Sequence, residues 1–221
     1  MIEIFLIIMK IQRCPRSDGN IINMYSGFIL LLCNCHKISN EILGSLVFLL
    51  VLLIPTLYFS NWDYSLIFQK PTKNELILAV LMFLAYVIYS AIFTNLLTAG
   101  GLAAIGNSNE NIISLLCLIF KMMAEELIKF IPLMFLLRVF YKYTSDRRLS
   151  VIVASIITLI FFGIIHAIDG SSIIAAVVIQ GFGSVFHLYA YLKTKNLFIS
   201  YLSHLMTDAI LIIMTLMGIF A

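Results

Sequence analysis

Two adjacent glutamates, Glu125 and Glu126, lie inside the long apolar run Ile112–Leu137. A charged carboxylate at the centre of a bilayer costs roughly 2.5 to 3.5 kcal/mol on insertion scales, so a membrane helix that keeps two of them has a use for them. The two side chains point about 100° apart on a helix, which predicts different roles. Lys121 and Lys129, four residues on either side of Glu125, are predicted to offset its charge, whereas Glu126 has no such partner in the sequence.

Two later motifs place histidines at helical spacing. Phe162 and His166 share one face by their i,i+4 spacing, and Gly163 between them allows a close helix approach. His204 and Asp208 have the same spacing. This pair could hold a metal, orient a proton-transferring imidazole, or donate hydrogen bonds to an oxyanion if Asp208 is protonated. The two glutamates could instead form a structural ion-pair network, His166 could be an ordinary polar residue near the membrane interface, and the last pair could be an interhelical hydrogen bond. The combination of the motifs therefore carries the functional hypothesis.

The elements that position these motifs follow from composition. Of the 221 residues, 62% are hydrophobic and 11% are charged, and the mean hydropathy is +1.07, which excludes a soluble domain and predicts an all-α, polytopic membrane helix bundle. In addition to the six long apolar runs, a shorter run, Ile21–Cys35, predicts a seventh span, and Met1–Met9 is short enough to be interfacial. Six runs are long enough to cross a bilayer: Ile42–Phe59, Leu76–Ala99, Ile112–Leu137, Leu149–Ile168, Ser172–Leu192 and Leu197–Phe220.

The predicted organisation is a cytoplasmic or interfacial segment over residues 1–20 and one transmembrane domain over 21–221, with the motifs in 112–208. Lys and Arg cluster in alternate loops, which predicts seven helices with a cytoplasmic N-terminus. We expect a multi-pass integral protein in a prokaryotic plasma membrane. The net charge of +3 is accounted for by this topology, so no nucleic-acid partner is expected, and the four cysteines show no zinc or disulfide spacing.

The ordered motifs Glu125-Glu126, Phe162 to His166 and His204 to Asp208 resemble those of the CPBP family, also called the Abi family. This is a family of intramembrane endopeptidases that comprises CAAX prenyl proteases and bacteriocin-processing enzymes. The stretch from Thr194 to Leu197 resembles the family's Thr-Gly-Asn-Leu turn, with lysine in the glycine position. The resemblance covers roughly Ile112–Asp208.

Two positions depart from the family pattern. Phe130 occupies the place of an arginine four residues after the second glutamate, so that Lys129 is the nearest base, and Asp208 occupies the place of an asparagine. Both changes resemble the PrsW-type membrane proteases, which, however, have a glutamate where this chain has His166. The motifs therefore combine features of two related subfamilies.

The resemblance implies hydrolysis of a peptide bond by an activated water. Glu125 is expected to be the general base assisted by His166, with His204 and Asp208 stabilising the oxyanion and Glu126, Lys129 and Phe162 supporting the site. A neutral His204 is expected to serve as a donor. The implied partners are the lipid bilayer and a membrane-associated peptide or protein, either prenylated and CAAX-type or a leader or signalling peptide. No cofactor is favoured, but zinc held by Glu125, His166, His204 and Asp208 stays open.

One geometric difficulty accompanies this mechanism. Glu125 lies near the centre of its predicted span, whereas His166 lies about two residues from the outer end of its own. Straight helices would then separate the two side chains by roughly 15 Å along the bundle. The mechanism therefore requires a tilted or broken helix, or different span boundaries.

Two other functions remain open. A rhomboid-like serine protease could use Ser184 with His204, although this leaves the glutamates unexplained. A transporter, or an immunity or scaffold protein of the same fold, could use intramembrane acids as an ion pathway. His187 lies in the Ser172–Leu192 span and is left outside the predicted site.

Overall fold

The computed structural model describes residues 40–102, 111–167 and 172–217, and these ranges are all-helical. The predicted seventh span Ile21–Cys35 and the Met1–Met9 segment lie outside the described residues. A single 3-10 turn, Tyr64–Leu66, lies between the first two helices. The main helices are α1 (Glu41–Phe59), α2 (Lys73–Ala99), α3 (Ile112–Thr144), α4 (Arg147–His166), α5 (Ile173–Thr194) and α6 (Leu197–Leu216).

Five of these helices, all except α3, are long and apolar enough to cross a membrane, although α1 qualifies only over Glu41–Tyr58. The chain is therefore a multi-pass integral membrane protein, as its composition predicted. Helix α3 is the longest, but it carries the glutamates and two lysines near its middle. Its buried residues pack against α1, α4 and α6, so the most highly charged of these helices occupies the centre of the bundle.

Most helices begin at a polar capping residue. The Asn40 side chain accepts hydrogen bonds from the backbone N–H groups of residues 42 and 43, and Thr72 forms a capping box with Glu75. Asn111, Asp146 and Asn196 cap α3, α4 and α6 in the same way. Each cap satisfies backbone donors that would otherwise be unpaired at a helix start.

The turn between α5 and α6 explains why glycine suits the second position of the family's Thr-Gly-Asn-Leu turn. Lys195 has φ of 63°, in the left-handed region where glycine carries no steric penalty, and it occupies the place of the glycine in the family's turn. Burial, reinforced by the nearby charge of Arg147, lowers the pKa of Lys195 below its ordinary value. Asn196 caps α6 and its side-chain amide donates to the backbone oxygen of Gln69, which ties the α1–α2 connection to this turn.

Helix α5 is not uniform. It is α-helical over Ile173–Ala176, π-helical over Val177–Gly181 and 3-10 over Phe182–Ser184, and then α-helical over Val185–Thr194. π-Helical turns disturb the regular backbone ladder. The Tyr89 hydroxyl on α2 donates to the Val178 carbonyl at 2.8 Å, so α2 supplies a hydrogen bond to the irregular segment.

The irregular segment lies against α4 at a contact between glycines. A Cβ added at Gly163 would lie 2.6 Å from the Val177 Cα and 3.2 Å from the Gly181 Cα. Small residues allow membrane helices to approach at backbone distance, so the predicted close approach at Gly163 is confirmed. This contact fixes the part of α4 that carries Phe162 and His166.

Replacing Gly163 with alanine should therefore separate α4 from α5. Because the nearest atoms are backbone, they cannot move as a flexible side chain would, and we expect a loss of about 1 to 3 kcal/mol of stability together with reduced activity. Gly100→Ala is the matched control, since its added Cβ would meet only backbone oxygens at 3.5 and 3.6 Å. Unfolding midpoints of the two variants in detergent give the measurement, and equal midpoints would contradict the packing argument.

Candidate active site

The candidate site joins α3, α4 and α6 and brings together all five predicted catalytic residues. The Glu125 Oε2 lies 3.6 Å from the His166 Nε2 and 3.8 Å from the His204 Nε2. The His204 Nε2 also lies 3.8 Å from the Asp208 Oδ2. Two carboxylates and two imidazoles thus converge on one small volume, although they lie up to 83 positions apart in the sequence (125 to 208).

The expected mismatch in depth between Glu125 and His166 is wrong. Helix α3 continues past the predicted end of its span to Thr144, and a short turn then reverses the chain into α4. Glu125 precedes the end of α3 by 19 residues (125 to 144), and His166 follows the start of α4 by 19 residues (147 to 166). Antiparallel helices of equal rise therefore place the two residues at the same level.

His166 is the last residue of α4 and has a defined orientation. Its Nδ1 lies 2.8 Å from the Phe162 backbone oxygen, and its ring lies 4.4 Å from the Phe162 ring. Because a carbonyl oxygen can only accept, Nδ1 carries the proton. In the neutral imidazole, the lone pair is therefore on the Nε2 that faces Glu125.

Glu126 lies deeper and has its own set of partners. The Lys129 Nζ lies 2.5 Å from its Oε1, and the His204 Nδ1 lies 2.8 Å from the same oxygen. The Ser200 hydroxyl donates to its other oxygen. The glutamate is thereby tied to α6, and its two oxygens accept hydrogen bonds from a base, an imidazole and a hydroxyl.

The sequence-based assignment of the lysines was wrong in one respect. Lys129 pairs with Glu126 at i,i+3 spacing rather than with Glu125, and no ion pair joins Lys121 to Glu125. The Lys129 Nζ also lies 4.7 Å from the centre of the Phe162 ring. Lys129 is 2% exposed, so its ammonium group depends on Glu126 and on this aromatic face for stabilisation.

His204 connects the two glutamates through its two ring nitrogens. As a carboxylate, Glu126 can only accept, so the Nδ1 of His204 carries a proton and its Nε2 faces Glu125 and Asp208. The neutral ring then presents a lone pair at Nε2, and only the imidazolium presents an N–H there. The expectation that neutral His204 donates to an oxyanion therefore does not fit this geometry.

The two sides of the site differ in exposure. The side chains of Glu125, His166 and Asp208 are 20%, 25% and 30% exposed, whereas those of Glu126 and Lys129 are 3% and 2% exposed. One side can reach a substrate and the other cannot. This asymmetry separates the adjacent glutamates in space, as their angular separation predicted.

Several residues around His204 lie outside the site that the motifs predict. The ring of His187, on α5, stacks on the His204 ring with centroids 4.8 Å apart, and its Nδ1 lies 3.1 Å from the Ser203 Oγ. The Ser200 hydroxyl contacts both Glu126 and the His187 backbone oxygen. A signal existed, because Ser200, Ser203, His204, Thr207 and Asp208 form a polar stripe at i, i+3, i+4, i+7 and i+8 on α6.

The candidate serine nucleophile finds less support. Ser184, the candidate serine nucleophile, is 2% exposed and its hydroxyl donates to the Gln180 backbone oxygen rather than contacting His204. Within residues 40–102, 111–167 and 172–217, no group of three or more His, Cys, Asp or Glu side chains has an arrangement that could hold a metal ion.

Comparison with known proteins agrees with the site. Residues 107–210 match the family model described as Rce1-like, type II CAAX prenyl endopeptidase. No curated protein and no solved structure gives a significant match to the chain. The matched region contains α3 to α5, the part of α6 up to residue 210, and every candidate catalytic residue. Over residues 107–210, the region that forms the site, the chain is therefore similar to the Rce1-like, type II CAAX prenyl endopeptidases, which are proteases.

Proposed function

We propose that the protein is a glutamate-dependent intramembrane endopeptidase that cleaves a prenylated, CAAX-type tail of a membrane-associated peptide or protein. The observation that carries the proposal is the convergence of Glu125, His166, His204 and Asp208 on the partly exposed side of the site. The family description supports the substrate class. A cytoplasmic N-terminus and a prokaryotic plasma membrane belong to the same proposal.

Charge balance suggests how the protons are distributed. With Glu125, Glu126 and Asp208 ionised and Lys129 as the ammonium, neutral imidazoles would leave two uncompensated negative charges in a low-dielectric environment. We place the two neutralising protons on His204 and Asp208. His166 then stays neutral, and Glu125 stays ionised as a base must.

In this state the proposed roles are complementary. The Oε2 of Glu125 and the Nε2 of His166, 3.6 Å apart, are close enough for one water to donate a hydrogen bond to each. The imidazolium N–H of His204 and the carboxyl of Asp208 are donors for the oxygen of the scissile amide. Removing one such donor typically costs about 10² to 10³ in rate.

The reaction needs no covalent intermediate. The water oxygen bonds to the amide carbon as Glu125 takes its proton, and the carbonyl electrons move to the oxygen held by His204 and Asp208. The tetrahedral intermediate collapses when the carbon–nitrogen bond breaks and Glu125 returns its proton to the leaving amine. Glu126 supports this cycle by fixing the proton of His204 on Nδ1.

The direct test uses purified protein in liposomes with a farnesylated and an unmodified form of the same tail peptide. Cleavage of the farnesylated peptide at an internal bond, detected by mass spectrometry, is the expected result. Cleavage of neither peptide would remove support for the substrate class. Equal cleavage of both would favour a leader or signalling peptide instead.

Metal dependence gives a separate prediction. Since the proposed base, acceptor and donors are all side chains, cleavage should be unchanged after treatment with 1,10-phenanthroline or EDTA and dialysis. The non-chelating isomer 1,7-phenanthroline is the matched control for nonspecific inhibition. Loss of activity with the chelator alone, and recovery on adding Zn²⁺, would show that a metal is required.

A further inference from the structure

Three rings from three helices form a continuous stack that ends at the candidate site. The centroid of Tyr86, on α2, lies 5.0 Å from that of His187 on α5, with the planes inclined by 30°. The centroid of His187 lies 4.8 Å from that of His204 on α6, with the planes inclined by 21°. We call Tyr86, His187 and His204 the three-ring stack.

The middle ring is firmly held. His187 is fully buried, its Nδ1 lies 3.1 Å from the Ser203 Oγ, and its backbone oxygen accepts from the Ser200 hydroxyl at 2.8 Å. Ser203 immediately precedes His204 on α6, so this contact fixes His187 relative to the helix that carries the stacked histidine. The Nε2 of His187 has no hydrogen-bond partner among the described residues, so its ring face, rather than a second hydrogen bond, is its main contact with the site.

A glycine admits the outer ring. A Cβ added at Gly183 would lie 2.8 Å from the Cε2 of Tyr86 and 3.4 Å from the Cε1 of Tyr89. Any side chain at this position would therefore push the tyrosine ring away from α5. The sequence of α5 thus leaves space for an aromatic ring from α2, which lies outside the region matched to the family model.

The stack restricts rotation of the His204 ring, which is the motion that the hydrogen bonds restrict least. The Glu126 contact holds the Nδ1 of His204 at one point, but rotation of the ring about that direction would move Nε2 away from Glu125 and Asp208. A flat neighbour at 4.8 Å opposes this rotation, and the edge of Phe162 lies on another side with centroids 6.4 Å apart. A neutral aromatic face is also a favourable neighbour for an imidazolium.

We propose that His187 and Tyr86 are positioning residues that hold the ring plane of His204, so that α2 is a functional part of the site. The expected loss of kcat rests on the proposed function, whereas the expected change in the His204 ring does not. The rings should act through their flat faces. Phenylalanine should therefore substitute for either residue without loss of function, whereas leucine, which lacks a flat face, should not.

The kinetic test compares His187→Phe with His187→Leu, and Tyr86→Phe with Tyr86→Leu. We expect each leucine variant to lose about tenfold to a hundredfold in kcat with KM nearly unchanged, because small displacements of catalytic groups have effects of this size. The phenylalanine variants should stay close to the wild type. Tyr191→Leu is the matched control, since Tyr191 is also buried on α5 but makes an edge-to-face contact with Phe130 instead.

The structural test needs no activity. In protein labelled with ¹⁵N-histidine, the assigned His204 signals should show a protonated Nδ1 and a single ring state in the wild type and in His187→Phe, and averaged ring states in His187→Leu. Unchanged His204 signals in both leucine variants, or an equal change in Tyr191→Leu, would overturn the proposal. If Glu125→Gln retained cleavage, the proposed function would fail while this spectrum still tested the stack. Should His187→Leu not fold, Tyr86→Leu provides the same comparison from the other end.

Discussion

Glu125→Gln should abolish peptide cleavage while leaving the fold intact. Glutamine has nearly the same shape, and the 20% exposed side chain has room to retain its position. It cannot take a proton from water, however, and loss of a general base typically costs about 10² to 10⁴ in rate. Single-turnover cleavage of a farnesylated peptide in liposomes, with the unfolding midpoint measured in parallel, separates lost chemistry from lost structure.

Glu75→Gln is the matched control for this substitution. Glu75 is a carboxylate on α2 that forms the capping box with Thr72 and has no proposed role in the site. Its replacement should change stability slightly and cleavage not at all. Full activity of Glu125→Gln would remove glutamate-activated water from the mechanism, and loss of an ion-coupled uptake in that variant would favour the transporter alternative.

Lys129→Met should have the largest effect on stability. Methionine fills similar volume but removes the ammonium group 2.5 Å from Glu126, in a position that is 2% exposed. Breaking a buried ion pair from one side typically costs about 3 to 5 kcal/mol, because an uncompensated charge remains. Glu126 can avoid this only by taking a proton, which would remove the carboxylate that accepts from the Nδ1 of His204. Activity should therefore fall as well.

A second substitution tests this explanation. Adding Glu126→Gln to Lys129→Met removes the unpaired charge, so the double variant should recover most of the lost stability but not the activity. Lys142→Met is the control, because Lys142 is exposed in the last turn of the same helix. Unfolding midpoints in mixed detergent micelles give the comparison. A double variant no more stable than Lys129→Met would show that the ion pair is not what the single substitution disrupts.

Spacing within a helix explains which side-chain pairs were predicted correctly, and the alignment of neighbouring helices explains why the depth of His166 was not. Spacing of four residues correctly paired Phe162 with His166 and His204 with Asp208, since such pairs share a face of any α-helix. The depth of His166 was misjudged, because a hydrophobic run marks the apolar part of a helix rather than its ends. Helix α3 continues seven residues beyond Leu137 (137 to 144) before the chain turns.

Lys129 shows where local spacing is insufficient. It lies four residues from Glu125 and three from Glu126, and both distances permit an ion pair on a helix. The choice falls to Glu126 because His204 and Ser200 from α6 hold that carboxylate on the buried side, where the lysine is also enclosed. His187 and Tyr86 illustrate the same limit, since no spacing relates α2 and α5 to a histidine on α6.

The sequence by itself determined the class of the protein, because apolar runs long enough to cross a bilayer admit only helices when every backbone group must be paired internally. It also determined the reactive residue types and the family resemblance, which are local properties of the chain. The tertiary structure alone decided which glutamate faces the accessible side, which nitrogen of His204 faces Glu125, and which rings hold it. Those outcomes depend on turn lengths and helix contacts between distant segments, which the linear order of residues does not specify.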